Sequence, residues 1–368
     1  MSINIPNNDQ WQRMNETLAN IANALGTQID ISTWSGIQKA VRAGVAPAMM
    51  PIGTQLLVSH SKYGDMLYDV VAHDHFKSAK NENAHTMTLM CHDSIPAIQY
   101  DESEAFYYAQ SELPAGTYNF TINTAHGDWE VGTYQFTLAK AVPVGGQMCF
   151  NHMTAGVILT YDSQISDTRI ERTFAKPGNG GTHLGTLGKE LNHLQRVLYG
   201  SNNYKESAIR QFLNSSAKAS SVWTPQTKFD RPPLWVNSLD GFVNGLDAEL
   251  VSAVGSVIVP CATNSIYESP DSGVTVGKQY TINDKFYLPS HAEIFGTPTL
   301  DGSVVFPYYD GASNVDRIKY NNGVATSWAT RTALPTYSNR HQIINDNGSE
   351  GDMQCIVECR VTPVFTIV

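Results

Sequence analysis

Charge is what this chain has little of. Asp, Glu, Lys and Arg together make up 16% of its 368 residues, against roughly 25% in an average soluble domain. Lys and Arg form no cluster anywhere, and the formal net charge is −10. Gripping a phosphate backbone needs a basic surface, so no nucleic-acid partner is expected. No apolar run approaches the ~20 residues that span a bilayer, so no membrane insertion is expected either. The stretch Met1–Asp9 lacks the basic-then-apolar layout of a secretory signal, which implies synthesis in a cytoplasm without export by that route. Cysteine is scarce. Cys91, Cys149, Cys261, Cys355 and Cys359 are odd in number and scattered, unlike a disulfide framework, and no Cys-x-x-Cys is present to build a zinc ribbon.

What is there is apolar and uncharged-polar residues. A hydrophobic fraction of 42% excludes wholesale disorder. The length suffices for a large core and suggests two or three domains. A surface poor in charge must be built from Ser, Thr, Asn, Gly and Tyr, as is common in β-rich extracellular or virion proteins.

Residues 8–25 read as a helix, capped by Asn8 or Asp9 and stopped by Gly26. Trp11, Met14, Leu18, Ile21 and Leu25 are spaced 3, 4, 3 and 4 apart, a heptad seam of little more than two turns of the repeat. A lone helix this short is marginal in water. The seam must bury itself, either on its own domain or in a short oligomerising coiled coil, most naturally a trimer. A second helix is expected over 33–43, with Ser32 as cap and Gly44 as stop, and a boundary near residue 47.

From residue 52 the period changes to that of strands. Gln55–His60 and Met66–Val71 flank a turn at Lys62–Asp65 and predict a hairpin. Thr86–Met90, Thr117–Ile122, Gly132–Leu138 and Gln147–Phe150 read as further strands. Their short spacing and Gly/Pro turns predict a β-sandwich over residues 101–175. Beyond it, Leu187–Leu198 has leucines at 4, 3, 4 spacing and reads as a helix. Glu206–Asn214 and Asp247–Val254 read as two more. Phe286–Phe295 reads as a strand entering a helical turn, and Ser327–Thr332, Gln342–Ile344 and Gln354–Val368 as strands.

Four histidines, His73, His75, His85 and His92, lie within twenty residues of one another. On a strand His73 and His75 share a face, and such pairs can chelate zinc. His-x-His is common by chance, however, and strand histidines more often satisfy hydrogen bonds. No metal and no cofactor is therefore expected, with His73 and His75 the weak candidates.

The segments Ser207–Asn214, Lys285–Gly296, Trp328–Ala333 and Arg360–Val368, in that order, resemble a family of uncharacterised domains from gut Firmicutes and their phages and prophages. Those domains look like the C-type-lectin fold. The same C-terminal logic occurs in the formylglycine-generating enzyme superfamily and in the variable tropism proteins of phages with diversity-generating retroelements. The resemblance covers about residues 52–92 and 187–368. It implies an α+β, β-rich chain with three parts: an N-terminal helical segment (1–46), a C-type-lectin-like domain (47–100 and 176–368), and an inserted β-sandwich (101–175). The sequence departs from the family pattern after Trp328. The stretch Pro335–His341 is rich in Tyr, Ser, Asn and Arg, the composition of an adaptable binding surface. In the lectin-like tropism proteins this region forms the ligand surface. The resemblance thus implies ligand contacts from Trp328, Arg331, Tyr337, Asn339, Arg340 and His341.

An enzyme is not expected. Cys355 and Cys359 invite comparison with the reactive thiols of formylglycine-generating enzymes. On one regular strand they would sit ~13 Å apart, too far for a disulfide and on one apolar face. No nucleophile elbow and no phosphate-cradling loop is present. The expectation is a bacteriophage virion structural protein of the fibre or adhesin type. It would be a homo-oligomer, with a trimer the first choice, would contact other virion proteins, and would bind a host-surface receptor or glycan. The alternatives are an architectural capsid decoration or head fibre that binds no receptor, and a thiol- or metal-dependent enzyme.

Overall fold

The structure, a computed structural model, describes residues 29–102, 202–226, 232–265, 276–334 and 340–368, with shorter stretches between 107 and 196. The heptad seam from Trp11 to Leu25 lies outside the described residues. Helix α1 (Trp34–Arg42) is capped not by the expected Ser32 but by Thr33, whose hydroxyl accepts from the Gly36 amide. Gly44, at φ +70°, turns the chain out of it. A Cβ at this position would also strike the His85 ring. The buried face of α1 is Gly36, Ile37, Ala40 and Val41, the spacing of one helical stripe. It joins the core that holds the following strands, and Trp34 meets Phe365 edge-on, 6.1 Å between ring centres. The short helix α2 (Ala46–Met49) leads into the sheets.

Strand β1 (Gln55–His60) and β2 (Gly64–His73) form the expected hairpin, closed at Gly64 with φ +74°. β3 (Met87–Cys91) and β4 (Ile95–Gln99) follow. The middle of the chain contributes β5 (Tyr107–Ala109), β6 (Gly116–Ile122), β7 (Gly132–Leu138), β8 (Gln147–Met148), β9 (Arg169–Ile170), β10 (Thr186–Leu187) and β11 (Leu194–Arg196). They form two sheets, ordered β10-β6-β7 and β11-β5-β8-β9. Their pairing runs past residue 175 to Arg196. The helix expected over Leu187–Leu198 is therefore corrected: Leu187 pairs with Phe120 and Leu194 with Ala109 as strand residues. Pairing across the sheet overrides the local helical period.

Helices α3 (Ala208–Asn214) and α4 (Ala248–Ala253) start at Ser207 and Asp247, whose side chains accept from the first-turn amides. β12 (Val257–Ser265) and β13 (Val276–Asp284) make a long hairpin, and the Arg210 guanidinium ties α3 to it through a bidentate bond to Asp284 at 2.7 Å on both arms. β14 (Phe286–Tyr287) runs into α5 (His291–Phe295). The hairpin of β15 (Lys319–Asn321) and β16 (Val324–Thr326) comes next, then β17 (Trp328–Ala333), β18 (Arg340–Ile344), β19 (Glu350–Gln354), β20 (Glu358–Val361) and β21 (Val364–Ile367). The expected continuous strand from Gln354 is broken by a turn at residues 355–357. Cys355 and Cys359 thus belong to different elements, and both are buried thiols outside any disulfide.

Two five-stranded sheets carry the core, ordered β1-β2-β3-β21-β14 and β19-β18-β17-β20-β4. They are stitched together twice. β3 of the first sheet continues after three residues into β4 of the second, and β20 of the second continues after two residues into β21 of the first. β3 pairs with β21 and β4 with β20, so the two crossings run side by side. The central strands β3, β17 and β21 are buried along their whole length. Tyr68, Phe286 and Phe365 of the first sheet interlock with Phe242 and with Phe212 of α3 at ring separations of 4.9–6.3 Å. Each fully buried phenyl ring contributes about 1.5–3 kcal/mol. The result is a mixed α/β, β-rich protein of several sheets and few helices. Among the described residues no helix is long and apolar enough to cross a membrane.

Candidate functional site

The site is built on α5. Ser290 caps this helix, and the Glu293 side chain reaches back to the Ser290 amide at 2.7 Å, a complete capping box. Glu293 is 0% exposed. Its charge is answered by Arg331 of β17 in a bidentate pair. The other Arg331 donors go to Pro260 O (3.0 Å), Leu288 O (2.8 Å) and Ser303 Oγ (3.0 Å), so the whole fork is engaged. Burial works against the charged guanidinium, but Glu293 outweighs it and holds the arginine above its ordinary value. This cluster fixes α5 against β17 and β12.

A cleft of about 360 Å³ opens beside this pair. His291 forms one wall. The others are the Thr297–Asp301 loop, Ala262 of β12, Thr332 and Ala333 of β17, Gln342 of β18 and Glu350 of β19. Asp301 accepts from Thr299 Oγ1 (2.7 Å), the Ser303 amide (2.9 Å) and Ser290 Oγ (2.8 Å). Burial raises its carboxyl; the Arg331 charge and these donors prevail and hold it below the usual carboxylate value. It is ionised at neutral pH. His291 is 1% exposed, stacks on Phe295 at 4.4 Å, and neither ring nitrogen has a hydrogen-bond partner. Its Nε2 lies 3.3 Å from Glu350 Oε2, a contact that favours the protonated ring. Burial pulls His291 below its ordinary value and Glu350 does not restore it, so the ring is neutral at pH 7. Gln342 Oε1 is also buried without a partner.

Three orphaned polar atoms therefore belong to residues lining one cleft. Each costs about 1–3 kcal/mol when buried unmet, and such groups call for an explanation. A larger cleft, about 570 Å³, lies among Arg42, Lys80, His85 and Lys285, but no orphaned buried atom belongs to its lining. The smaller cleft has the size and the mix of apolar wall and converging polar groups of a small-molecule site.

The residues named from sequence are placed as follows. Trp328 is 0% exposed, and its indole N–H donates to Arg317 O at 3.1 Å. Arg331 is the buried partner of Glu293. His341 is 0% exposed, stacks on Tyr100 at 4.3 Å, and has Nδ1 3.7 Å from Cys355 Sγ. These three side chains support the core and offer no surface to an outside ligand, a correction to their expected display. Trp328 and Arg331 lie on β17, a central strand buried along its whole length, and His341 is buried on the neighbouring β18. Arg340 is half-buried and ion-paired with Asp352. Tyr337 and Asn339 lie outside the described residues, in the segment joining β17 to β18. Ala333 before it and Gln342 after it both line the cleft.

His73 and His75 do not converge. His73 Nε2 bonds Met50 O at 2.9 Å, while His75 lies between Phe76 and Phe306 with Nε2 4.0 Å from Glu293. Among the described residues no group of three or more His, Cys, Asp or Glu side chains is placed to hold a metal ion. Sequence reasoning missed His291, Asp301, Gln342 and Glu350. The only local signal was the Ser290-x-x-Glu293 capping signature beside His291.

Fold and cleft define a mixed α/β, β-rich protein with a cleft of apolar wall and polar groups next to a buried ion pair. Residues 171–368 match the model of a domain family of unknown function, DUF6273. The match covers more than half of the chain, and the chain belongs to that family. No curated protein and no solved structure matches it.

Proposed function

We propose that this chain is a bacteriophage virion structural protein of the fibre or adhesin type, whose C-type-lectin-like module binds a host-surface glycan in the His291 cleft. In this reading it is made in the bacterial cytoplasm and assembles with other virion proteins. It forms a homo-oligomer, a trimer first, through the Trp11–Leu25 seam. The observation that carries the reading is the convergence of buried, unpartnered polar atoms from His291 and Gln342 on one cleft, beside ionised Asp301 and the exposed Glu350. A hydroxylated ligand supplies the donors and acceptors these atoms lack. The hydroxyls present favour binding over catalysis: Ser290 Oγ donates to Asp301 and accepts from the Ala292 amide, which leaves it tied into the helix cap. The Tyr, Ser, Asn and Arg of Pro335–His341 have the composition of adaptable ligand contacts.

The test is retention of the purified protein on a panel of immobilised bacterial surface polysaccharides, with His291→Ala and the Tyr337→Ala/Arg340→Ala pair alongside. Retention that both variants weaken supports the reading. Retention unchanged in His291→Ala removes the cleft from it, and no retention on any polysaccharide leaves the architectural role in its place. Crosslinking tests the assembly, and a strict monomer at micromolar concentration overturns the trimer.

A further inference from the structure

The contact between His291 and Glu350 joins two elements that line the cleft, α5 and β19. Its two ends differ in freedom. The His291 ring is fixed: it is 1% exposed, lies flat on Phe295, and its backbone amide donates to Thr332 Oγ1 at 2.9 Å. Glu350 is anchored only through its backbone, where Ile344 is its strand partner and its carbonyl accepts from Asn345 Nδ2 at 2.9 Å. Its side chain is 69% exposed and has no other ion-pair partner among the described residues. A solvated carboxylate thus reaches over a buried ring and is free to leave it.

How firmly it stays depends on the charge of the ring. A neutral imidazole offers the carboxylate at most one ordinary hydrogen bond, whereas an imidazolium adds charge attraction. Two further charges reach the ring. Asp301 of the Thr297–Asp301 loop favours its proton, and Arg317, whose guanidinium lies 4.4 Å from the centre of the Phe295 ring, opposes it. Glu293 of the same helix is spent on Arg331 of β17, and Gln342 of β18 is uncharged. Burial outweighs the carboxylates and keeps the ring neutral at pH 7. The contact is therefore loose at neutral pH and tightens in acid.

We infer that Glu350 is a proton-controlled latch on the cleft: a glycan displaces its carboxylate while His291 is neutral, and the imidazolium holds it in place in acid. The latch presupposes that a glycan sits in this cleft and adds the regulation of that site. Burial sets the titration of His291 below the ordinary 6.5, so the latch closes below that pH. Proton and glycan then compete for one arrangement of the same two side chains. Linkage fixes the form of the competition: binding weakens by up to about tenfold per pH unit below the midpoint of the ring, and bound glycan lowers that midpoint in turn.

The first measurement needs no glycan. Histidine-ring nitrogen NMR follows the titration of His291 in the full chain and in Glu350→Gln, with circular dichroism to confirm the fold at each pH. The variant is expected to titrate at lower pH than the parent, because its imidazolium has lost the carboxylate. An unchanged midpoint, or a ring that stays neutral until the fold is lost, overturns the latch. Retention on immobilised peptidoglycan, capsular polysaccharide and O-antigen is then compared on either side of the parent midpoint. Retention is expected to weaken in acid for the parent, with a flatter pH slope for Glu350→Gln. Retention that ignores the titration of His291 overturns the latch and leaves the glycan cleft standing. No retention at any pH removes the glycan reading, and the latch with it.

Discussion

Replacing Arg331 by methionine keeps most of the side-chain volume and removes the charge. It leaves Glu293, 0% exposed, without its cation, and it takes a donor from Pro260 O and from Leu288 O. Breaking a buried pair on one side costs about 3–5 kcal/mol. Unfolding in urea, followed by the fluorescence of Trp328 and its neighbours, reads this out. At a slope of about 2–3 kcal/mol per molar urea, the midpoint falls by roughly 1–2 M. Arg331→Lys recovers only part of it, because one ammonium cannot replace a planar fork that meets a carboxylate and three further acceptors. The decisive arm is the double variant Arg331→Met/Glu293→Leu. With both charges gone the desolvation cost goes too, and most of the lost stability returns. A single variant within about 1 kcal/mol of the parent, or a double variant no better than the single, refutes the assignment of this pair as the anchor of the cleft.

Three further outcomes follow from the same geometry. His341 is buried against Tyr100, and burial followed by the Arg340 charge pulls it down to about 3 from an unfolded 6.5. The unfolded chain binds the extra proton between those values, so stability falls as pH drops from 6.5 towards 3, by about 1.4 kcal/mol per pH unit for this group. His341→Phe is expected to flatten the urea-midpoint slope by close to one proton, and an unchanged slope counts against the assignment. The thiols of Cys91, Cys261 and Cys359 are buried and pushed up to about 12. They resist Ellman's reagent in the native protein and react in guanidinium; rapid native labelling at these positions contradicts their burial. Gly348, at φ +79°, turns β18 into β19, and a Cβ there would lie 1.8 Å from Asn314 O. Gly348→Ala is expected to cost more than about 2 kcal/mol and to weaken ligand retention by displacing Glu350. A fully stable, fully binding variant contradicts this.

Local signals served well where local forces decide. Helix α1, the β1–β2 hairpin, α3, α4 and the strand–turn at Phe286–Phe295 follow from caps, periods and turn glycines, and all are present. The leucines at 187–198 misled because a helical period says nothing of partners elsewhere in the chain. Trp328–Ala333 misled in the opposite way. Trp328 and Arg331 were expected at a ligand surface, yet Thr330 donates to Gln342 O at 2.7 Å, and Thr332 and Arg331 are engaged around Asp301 and Glu293. Buried polar groups with partners look like surface in a sequence. The cleft was illegible for the same reason. His291, Asp301, Gln342 and Glu350 span sixty positions and meet only because α5 packs on β17 and the β18–β19 register sets Ile344 against Glu350.

The cleft is the proposed seat of the ligand. Histidine-ring nitrogen NMR on the full chain, titrated with fragments of a polysaccharide that retains it, tests this directly. The His291 ring resonances are expected to move with saturation, while those of His60 and His341, stacked on Phe242 and Tyr100 and absent from the cleft lining, stay in place. Saturable binding that leaves His291 unmoved contradicts it.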